Sequence, residues 1–163
     1  MDMARPHRFT LQAAVTKAAS YTLAPADQGL HRYRELIINL AITAAERDSA
    51  DETYDLWITT EDEGGASWDL CCFPQVATTG VKTFVARLLG NQVLPQTVTT
   101  AAPGVPVIES GTLSVATGGA NVVGSLGAGL VRHGLWGRKM GYKLTIAGTV
   151  VTGIAYSITV EAR

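Results

Sequence analysis

Charged residues are scarce in this chain, and their scarcity limits the classes of function that are open to it. Asp, Glu, Lys and Arg make up 17% of the 163 residues, and their formal charges sum to −1. A general nucleic-acid-binding protein carries a strong basic excess that neutralises phosphates. We therefore expect no direct nucleic-acid binding. A surface so poor in charge is also one that partner subunits often cover.

Cysteine is nearly absent as well. The only two cysteines, Cys71 and Cys72, are adjacent, so a normal disulfide between them is sterically awkward. This arrangement argues against a secreted disulfide scaffold and for synthesis in a reducing cytoplasm. If the pair lies in a strand, its side chains face opposite sides, one packing in the core and the other against a second surface.

Long apolar runs and helical periodicity are missing too. No stretch approaches the roughly 20 apolar residues that a membrane-spanning helix requires, and the charged N-terminus is followed by no apolar signal segment. We expect no membrane association. No convincing amphipathic helix is present, which excludes a βαβ arrangement.

What the chain does contain is a series of short segments in which polar and apolar residues alternate, notably 33–44, 53–60, 67–73 and 143–160. About eight such segments, with turn signals every 8 to 12 residues, predict an all-β fold. The predicted fold is a single-domain antiparallel β-sandwich or jelly roll. We assign residues 1–9 to a flexible N-terminal arm and residues 10–163 to the sandwich. A long Pro- and Thr-rich excursion is expected over 91–111.

Two hairpins are predicted within this pattern. One joins 53–60 to 67–73 through a Gly-containing loop, and the other joins 142–151 to 154–160 at the C-terminus. Trp57 and Trp68 would then face each other across the first hairpin, away from the main aliphatic face. A tryptophan pair on a face outside the core is expected to anchor an interface.

Residues for catalysis or metal binding do not assemble from the sequence. The loop 119–125 has the outer spacing of a phosphate-binding loop, but Ser125 stands where the lysine is required. The three histidines lie in different regions, and adjacent cysteines cannot wrap one zinc ion. Eight of the 14 acidic residues fall between Glu46 and Glu63, without the ligand spacing of a calcium loop. We predict a non-enzymatic protein with no catalytic, cofactor or metal site.

The candidate functional residues are therefore those of an interface. Acidic loops on either side of one strand would suit a basic partner surface. Basic and aromatic residues of the arm, and a basic pair in a Gly-punctuated turn, are further candidates. The full set is Arg5, Arg8, Phe9, Asp48, Asp51, Glu52, Trp57, Trp68, Arg138 and Lys139.

Over most of its length the chain resembles β-sandwich or jelly-roll head-decoration (cement) proteins of tailed bacteriophages. The segments that carry the resemblance are 4–9, 35–43, 52–60, Trp68-Asp69 with Phe73, and 156–161. The resemblance implies a virion protein, made in the host cytoplasm, that binds the major capsid protein or other virion subunits. It implies that the protein braces the head lattice, often as a homotrimer, and it supplies no catalytic residues.

Two other functions remain open. A head-tail joining or tail structural protein would have the same style of sequence. A carbohydrate-binding jelly-roll module, with Trp57, Trp68 or Trp136 as the stacking platform, belongs to a different class.

Overall fold

A computed structural model describes residues 6–47, 50–90, 106–107, 126–132 and 136–163 of the chain. Within these ranges it contains ten strands and one short 3-10 turn, Leu30–Arg32. The strands are β1 (His7–Lys17), β2 (Tyr21–Asp27), β3 (Glu35–Ala45), β4 (Thr53–Glu61), β5 (Ser67–Cys72), β6 (Lys82–Leu89), β7 (Pro106–Val107), β8 (Leu130–Val131), β9 (Lys139–Ala147) and β10 (Ile154–Ala162).

The strands form two sheets. The first sheet has the order β1-β10-β3-β6-β7, and the second has the order β2-β9-β4-β5-β8. Successive long strands alternate between the sheets, except for the β4–β5 hairpin, which stays within the second sheet. This order of the eight longer strands is that of a jelly roll, so the predicted all-β sandwich class is confirmed.

The core lies between the two sheets and follows from the period of two. Along β10, alternate residues from Ile154 to Ala162 are buried, and along β3 Leu36, Ile38, Leu40 and Ile42 are at most 1% exposed. The second sheet contributes its own alternating set, Tyr54, Leu56 and Ile58. Because successive side chains of a strand point to opposite faces, one face of each sheet packs inward and the other faces outward.

A chain of buried hydroxyl groups connects the sheets. Tyr156 of β10 donates a hydrogen bond to the Tyr142 hydroxyl of β9 (3.0 Å), and Tyr142 donates to Gln12 Oε1 of β1 (2.7 Å). The two tyrosine rings meet edge to face, with centroids 6.0 Å apart. Burial raises the pKa of both phenols. These bonds satisfy polar groups that would otherwise be costly inside an apolar core.

The predicted N-terminal arm is wrong in its last three residues. His7, Arg8 and Phe9 belong to β1, where they pair with residues 160–162 of β10. Phe9 packs against the core, and its ring stacks on His7 at 5.3 Å. Residues 1–5 lie outside the described residues.

The predicted C-terminal hairpin is also wrong. The strands themselves exist as β9 and β10, but β9 pairs with β2 and β4 whereas β10 pairs with β1 and β3. The turn between them therefore carries the chain from one sheet to the other. Of the predicted excursion over 91–111, only Pro106 and Val107 are described, and they pair with β6 in parallel.

The adjacent cysteines are both buried, at 0% and 1% exposure for Cys71 and Cys72. Cys71 belongs to the core cluster between the sheets, whereas Cys72 pairs with Trp57 on the outward side of the second sheet. Burial, followed by the nearby carboxylates of Asp55 and Asp69, raises the pKa of Cys72 to about 12.

Candidate interaction surfaces

The ten residues predicted for an interface do not form one surface. Arg5 and Asp48 lie outside the described residues. Arg8 and Asp51 are exposed, but Phe9 is half-buried against the core. Glu52 is fully buried at 0% exposure, which contradicts its assignment to an exposed acidic loop. Its carboxylate is not available to a docking partner.

The predicted tryptophan pair is wrong as well. In the β4–β5 ladder Trp57 is opposite Cys72, and Trp68 is opposite Thr60. An irregularity between Ile58 and Thr59 shifts the register, and Trp68 packs against the core while Trp57 stays on the outer face. A β-bulge of this kind cannot be read from alternation alone.

Trp57 makes several contacts within its own chain. Its indole Nε1 donates to the carbonyl of Leu126 (3.0 Å), and Lys143 Nζ lies 4.5 Å from the ring centroid. The same segment is fastened to β5, since the Leu126 amide donates to Asp69 Oδ2 (3.3 Å) and the Gly129 amide donates to the Cys72 carbonyl (2.9 Å). The indole N–H of Trp57 is thus engaged by Leu126 of the segment 126–132.

Arg138 and Lys139 lie in a network of ion pairs. Arg138 contacts Asp27 (2.7 Å) and Glu63 (3.0 Å), and Lys139 pairs with Glu61 across the β4–β9 ladder. The Gly29 amide, bonded to Asp27 at 2.8 Å, and then Arg138 lower the pKa of the Asp27 carboxyl. We call Asp27, Glu61, Glu63, Arg138 and Lys139 the charged ridge. Both cations of the ridge are paired with carboxylates, so the predicted basic pair does not form a free basic patch.

The acidic clusters occupy opposite ends of β4, as the sequence suggests. Glu46, Asp51 and Glu52 precede this strand, Glu61 is its last residue, and Asp62 and Glu63 follow it. The second cluster joins the charged ridge through Glu61 and Glu63. In the first cluster, Arg47 donates to the carbonyls of Ala50 and Ala77, which ties this loop to residues before β6.

The outer face of the first sheet differs from all of these surfaces, because its central part carries no charge. The outward positions follow from strand parity and register: Ser157 is opposite Ala41, Thr159 is opposite Asn39 and Thr10, and Asn39 is opposite Val85. We call this set the neutral face. It comprises Thr10, Thr16, Asn39, Ala41, Ala44, Thr83, Val85, Ala155, Ser157 and Thr159.

Charged residues flank the neutral face at both ends. Arg8 is opposite Glu161 in the β1–β10 ladder, Arg87 pairs with Glu35, and Arg163 Nε lies 2.7 Å from Glu161. At the other end the two nearest lysines are engaged elsewhere. Lys17 Nζ lies 3.8 Å from the centroid of Tyr21, and Lys82 donates to the carbonyls of Thr78 and Thr79. The neutral face is thus free of charge across four strands.

The outer face of the second sheet shows how unusual this is within the molecule. Its outward positions in β4 and β9 include four partly exposed charged residues, Asp55, Glu61, Lys139 and Lys143, whereas the outward Asp69 of β5 is buried and accepts a hydrogen bond from the Leu126 amide. Gln75 adds a bidentate contact to Asp55, with both distances 3.1 Å. One side of the sandwich therefore has the mixed charge of a solvated surface, and the other does not.

The neutral face was missed as a site although its signal is in the sequence. In β3, positions 35, 37, 39, 41 and 43 alternate with the buried aliphatic residues and so form the opposite face of the strand. The sequence does not show which strands share the sheet with β3, because β1, β10 and β6 are distant from it along the chain. Only the sheet order joins their outward Thr, Ser and Ala residues into one surface.

Within the described ranges, no group of three or more His, Cys, Asp or Glu side chains is placed to hold a metal ion. No helix in the same ranges is long and apolar enough to cross a membrane. Comparison of the chain with protein-family models, with curated proteins and with solved structures finds no match. Function must therefore be inferred from the surfaces of this chain.

Proposed function

We propose that this protein is a non-enzymatic structural subunit of a tailed-phage virion, which decorates the head lattice and stabilises it. The observation that carries the proposal is the neutral face. When another protein covers a sheet face that is uncharged across four strands, no charged group is taken out of water, so the contact has no charge-desolvation cost.

The architecture agrees with this proposal without deciding it. Jelly rolls occur in viral capsid proteins and also in lectins, so the fold alone does not choose between them. The resemblance of segments 35–43, 52–60 and 156–161 to head-decoration proteins favours the virion. It implies a small homo-oligomer, commonly a trimer, on the major capsid protein.

The mechanism is mass action. A subunit that binds the assembled lattice, and not free capsid subunits, lowers the free energy of the lattice by an amount that grows with its own concentration. The exposed acidic residues near the ends of β4, such as Asp51 and Glu63, are candidates for contact with basic groups of the capsid.

Co-sedimentation tests this function. Purified protein is added in increasing amounts to capsids assembled without it, and bound protein is quantified in the pellet. We expect saturable binding at a fixed ratio to the major capsid protein. Binding to isolated tails or connectors alone would indicate the head-tail joining or tail function instead. A lack of saturable binding to heads, connectors and tails would contradict the proposal.

A carbohydrate-binding function is the second candidate, and Trp57 is the observation that favours it. Trp68 and Trp136 pack against the core, so Trp57 alone among the three tryptophans lies on an outer face. It has polar neighbours in Asp55, Gln75 and Lys143. Quenching of tryptophan fluorescence by a glycan, lost in Trp57→Phe, would support this function. A flat response across a broad glycan panel would remove it.

A further inference from the structure

We infer that one end of the sandwich is a docking site for an acidic segment of a different protein. Five arginines lie at this end, and we call them the arginine end: Arg8, Arg32, Arg34, Arg87 and Arg163. The inference rests on the proposed function in one respect, since in a virion the acidic segment would belong to a neighbouring virion subunit. Its test does not require the virion.

Backbone pairing places these arginines beside one another. Arg8 and Arg87 lie in one row of the first sheet, which runs across β1, β10, β3 and β6. Arg163 follows β10 directly, and its carbonyl accepts a hydrogen bond from the Arg34 amide (2.7 Å). Arg32 is two residues before Arg34 on the same loop. Arginines that are far apart along the chain therefore meet at one end of the fold.

The loop 30–34, which carries two of the arginines, is anchored by buried contacts. Leu30 is fully buried, and its carbonyl accepts hydrogen bonds from the Trp136 indole (3.0 Å) and from the Tyr33 amide (3.1 Å). Tyr33 packs against the core, and His7 stacks on its ring with the centroids 6.2 Å apart. A site whose backbone is ordered before binding loses less entropy when a partner binds.

Three of the five arginines have no acidic partner in their own chain. Arg8, Arg32 and Arg34 are exposed, and none of them makes an ion pair with a residue that the structure describes. The planar guanidinium group presents its N–H donors in a fork that matches the two oxygens of a carboxylate. These three side chains are therefore available to a partner that carries carboxylates.

The other two arginines also present positive charge outward. Arg87 pairs with Glu35 and Arg163 with Glu161, but the arginine side chains are 53% and 51% exposed and the carboxylates only 17% and 30%. Five arginines and two glutamates leave an excess of three positive side-chain charges, although the whole chain has a formal charge of −1. The adjoining charged ridge has one carboxylate more than it has cations, so the excess remains.

Charge and side-chain type favour an acidic protein segment as the partner. Carboxylates that approach this end form ion pairs with exposed arginines, and arginine and tyrosine are enriched at the centres of protein interfaces. Tyr33 lies between Arg32 and Arg34 in the anchored loop. A nucleic acid suits the site less well, because its closely spaced phosphates would also meet the carboxylates of Glu35 and Glu161.

A second copy of this chain is also a poor source of the acidic segment. Most of the carboxylates that the structure describes are already buried or paired within the chain. The buried ones are Glu52 and Asp69, and the paired ones are Asp27, Glu35, Glu61, Glu63 and Glu161. The partner is therefore a different protein.

Two double variants of equal charge test the inference. The arginine variant combines Arg8→Gln with Arg34→Gln, which removes two unpaired cations from the arginine end. The matched control combines Lys17→Gln with Lys82→Gln, which removes two cations from the opposite ends of β1 and β6. Urea unfolding of both variants shows that each keeps the native stability before binding is measured.

Fluorescence anisotropy with a fluorescein-labelled oligo-glutamate peptide at low salt gives the readout. We expect saturable binding to the unaltered protein, which weakens as salt is added because the contact is between exposed charges. The arginine variant should bind the peptide at least about tenfold more weakly, and the lysine variant should bind it as the unaltered protein does. A labelled oligodeoxythymidine of equal charge is measured in parallel and should bind more weakly than the peptide.

Three results would overturn the inference. The first is no binding of the peptide at low salt, and the second is equal weakening by the two double variants, which would show attraction to charge at large. The third is tighter binding of the oligodeoxythymidine, which would assign the arginine end to nucleic acid.

Failure of this inference is distinct from failure of the proposed function. Binding to heads without binding to the peptide would remove the arginine end as a docking site and leave the proposed function. Peptide binding that depends on Arg8 and Arg34, without binding to heads, connectors or tails, would leave the docking site and remove the proposed function.

Discussion

At the scale of single residues, the buried polar groups show most clearly what holds the two sheets together. Tyr156, Tyr142 and Gln12 come from three strands and form one hydrogen-bonded chain inside the core. The middle member, Tyr142, both accepts and donates, so the three residues are not equivalent. Its removal leaves a donor and an acceptor without partners.

Substitution of the two tyrosines by phenylalanine should reveal this asymmetry. Tyr142→Phe leaves the Tyr156 hydroxyl and the side-chain oxygen of Gln12 without their hydrogen-bond partner. We expect a loss of about 2 to 3 kcal/mol in the free energy of unfolding. Tyr156→Phe removes one hydrogen bond and leaves no donor without an acceptor, so its expected loss is about 1 kcal/mol. Urea unfolding of both variants measures the difference. Equal losses would show that the chain of hydrogen bonds is not arranged as described.

Cys72 should make stability depend on alkaline pH. Its folded pKa of about 12 lies above its unfolded value, so the unfolded state loses the thiol proton first as the pH rises. The free energy of unfolding should therefore fall above about pH 8.5, by up to about 1.4 kcal/mol per pH unit from this group. Cys72→Ala should show a shallower decline in urea unfolding between about pH 8 and about pH 9.5. An identical slope in both proteins would mean that Cys72 is not protonated in the folded state at these pH values.

At the scale of strands, the first strand shows the limit of local sequence patterns. Residues 1–9 combine charge with a proline and resemble an arm, yet His7, Arg8 and Phe9 pair with residues 160–162 of the last strand. The partner strand lies at the opposite end of the chain, and no local pattern identifies it.

The C-terminal hairpin was predicted wrongly for a related reason. Thr152 and Gly153 predict a turn, and the structure has its turn there. A turn signal does not state whether the chain that leaves the turn stays in the same sheet. Here the chain crosses to the other sheet, so β9 and β10 are neighbours in sequence but not in pairing.

The start of β1 can be tested by two shortened chains, one beginning at residue 6 and one at residue 10. The shorter chain lacks the contact of Phe9 with the core and the pairing of residues 7–9 with β10. We expect it to be less stable by about 1 to 2 kcal/mol, the contribution of a half-buried aromatic side chain. Urea unfolding compares the two chains. If the two chains unfold at the same urea concentration, residues 7–9 do not stabilise the fold and belong to a flexible arm.

At the scale of the whole molecule, the fold class and the buried faces of β3 and β4 were predictable, but the assembly of strands into sheets was not. The period-two spacing of Leu36, Ile38, Leu40 and Ile42 predicts β3 and its buried side. Of the predicted interface residues, Glu52 is buried and Trp68 packs on the core, because a side chain's burial depends on the neighbours that the fold supplies. The neutral face appears only when four distant strands are placed side by side.

We propose that the whole molecule acts by stabilising an assembly. The most direct test uses capsids assembled without the protein, to which purified protein is added in increasing amounts. Light scattering then gives the temperature at which the capsids dissociate at each protein concentration. We expect this temperature to rise with protein concentration and to level off when the binding sites are filled. An unchanged temperature at saturating protein would contradict the proposed function.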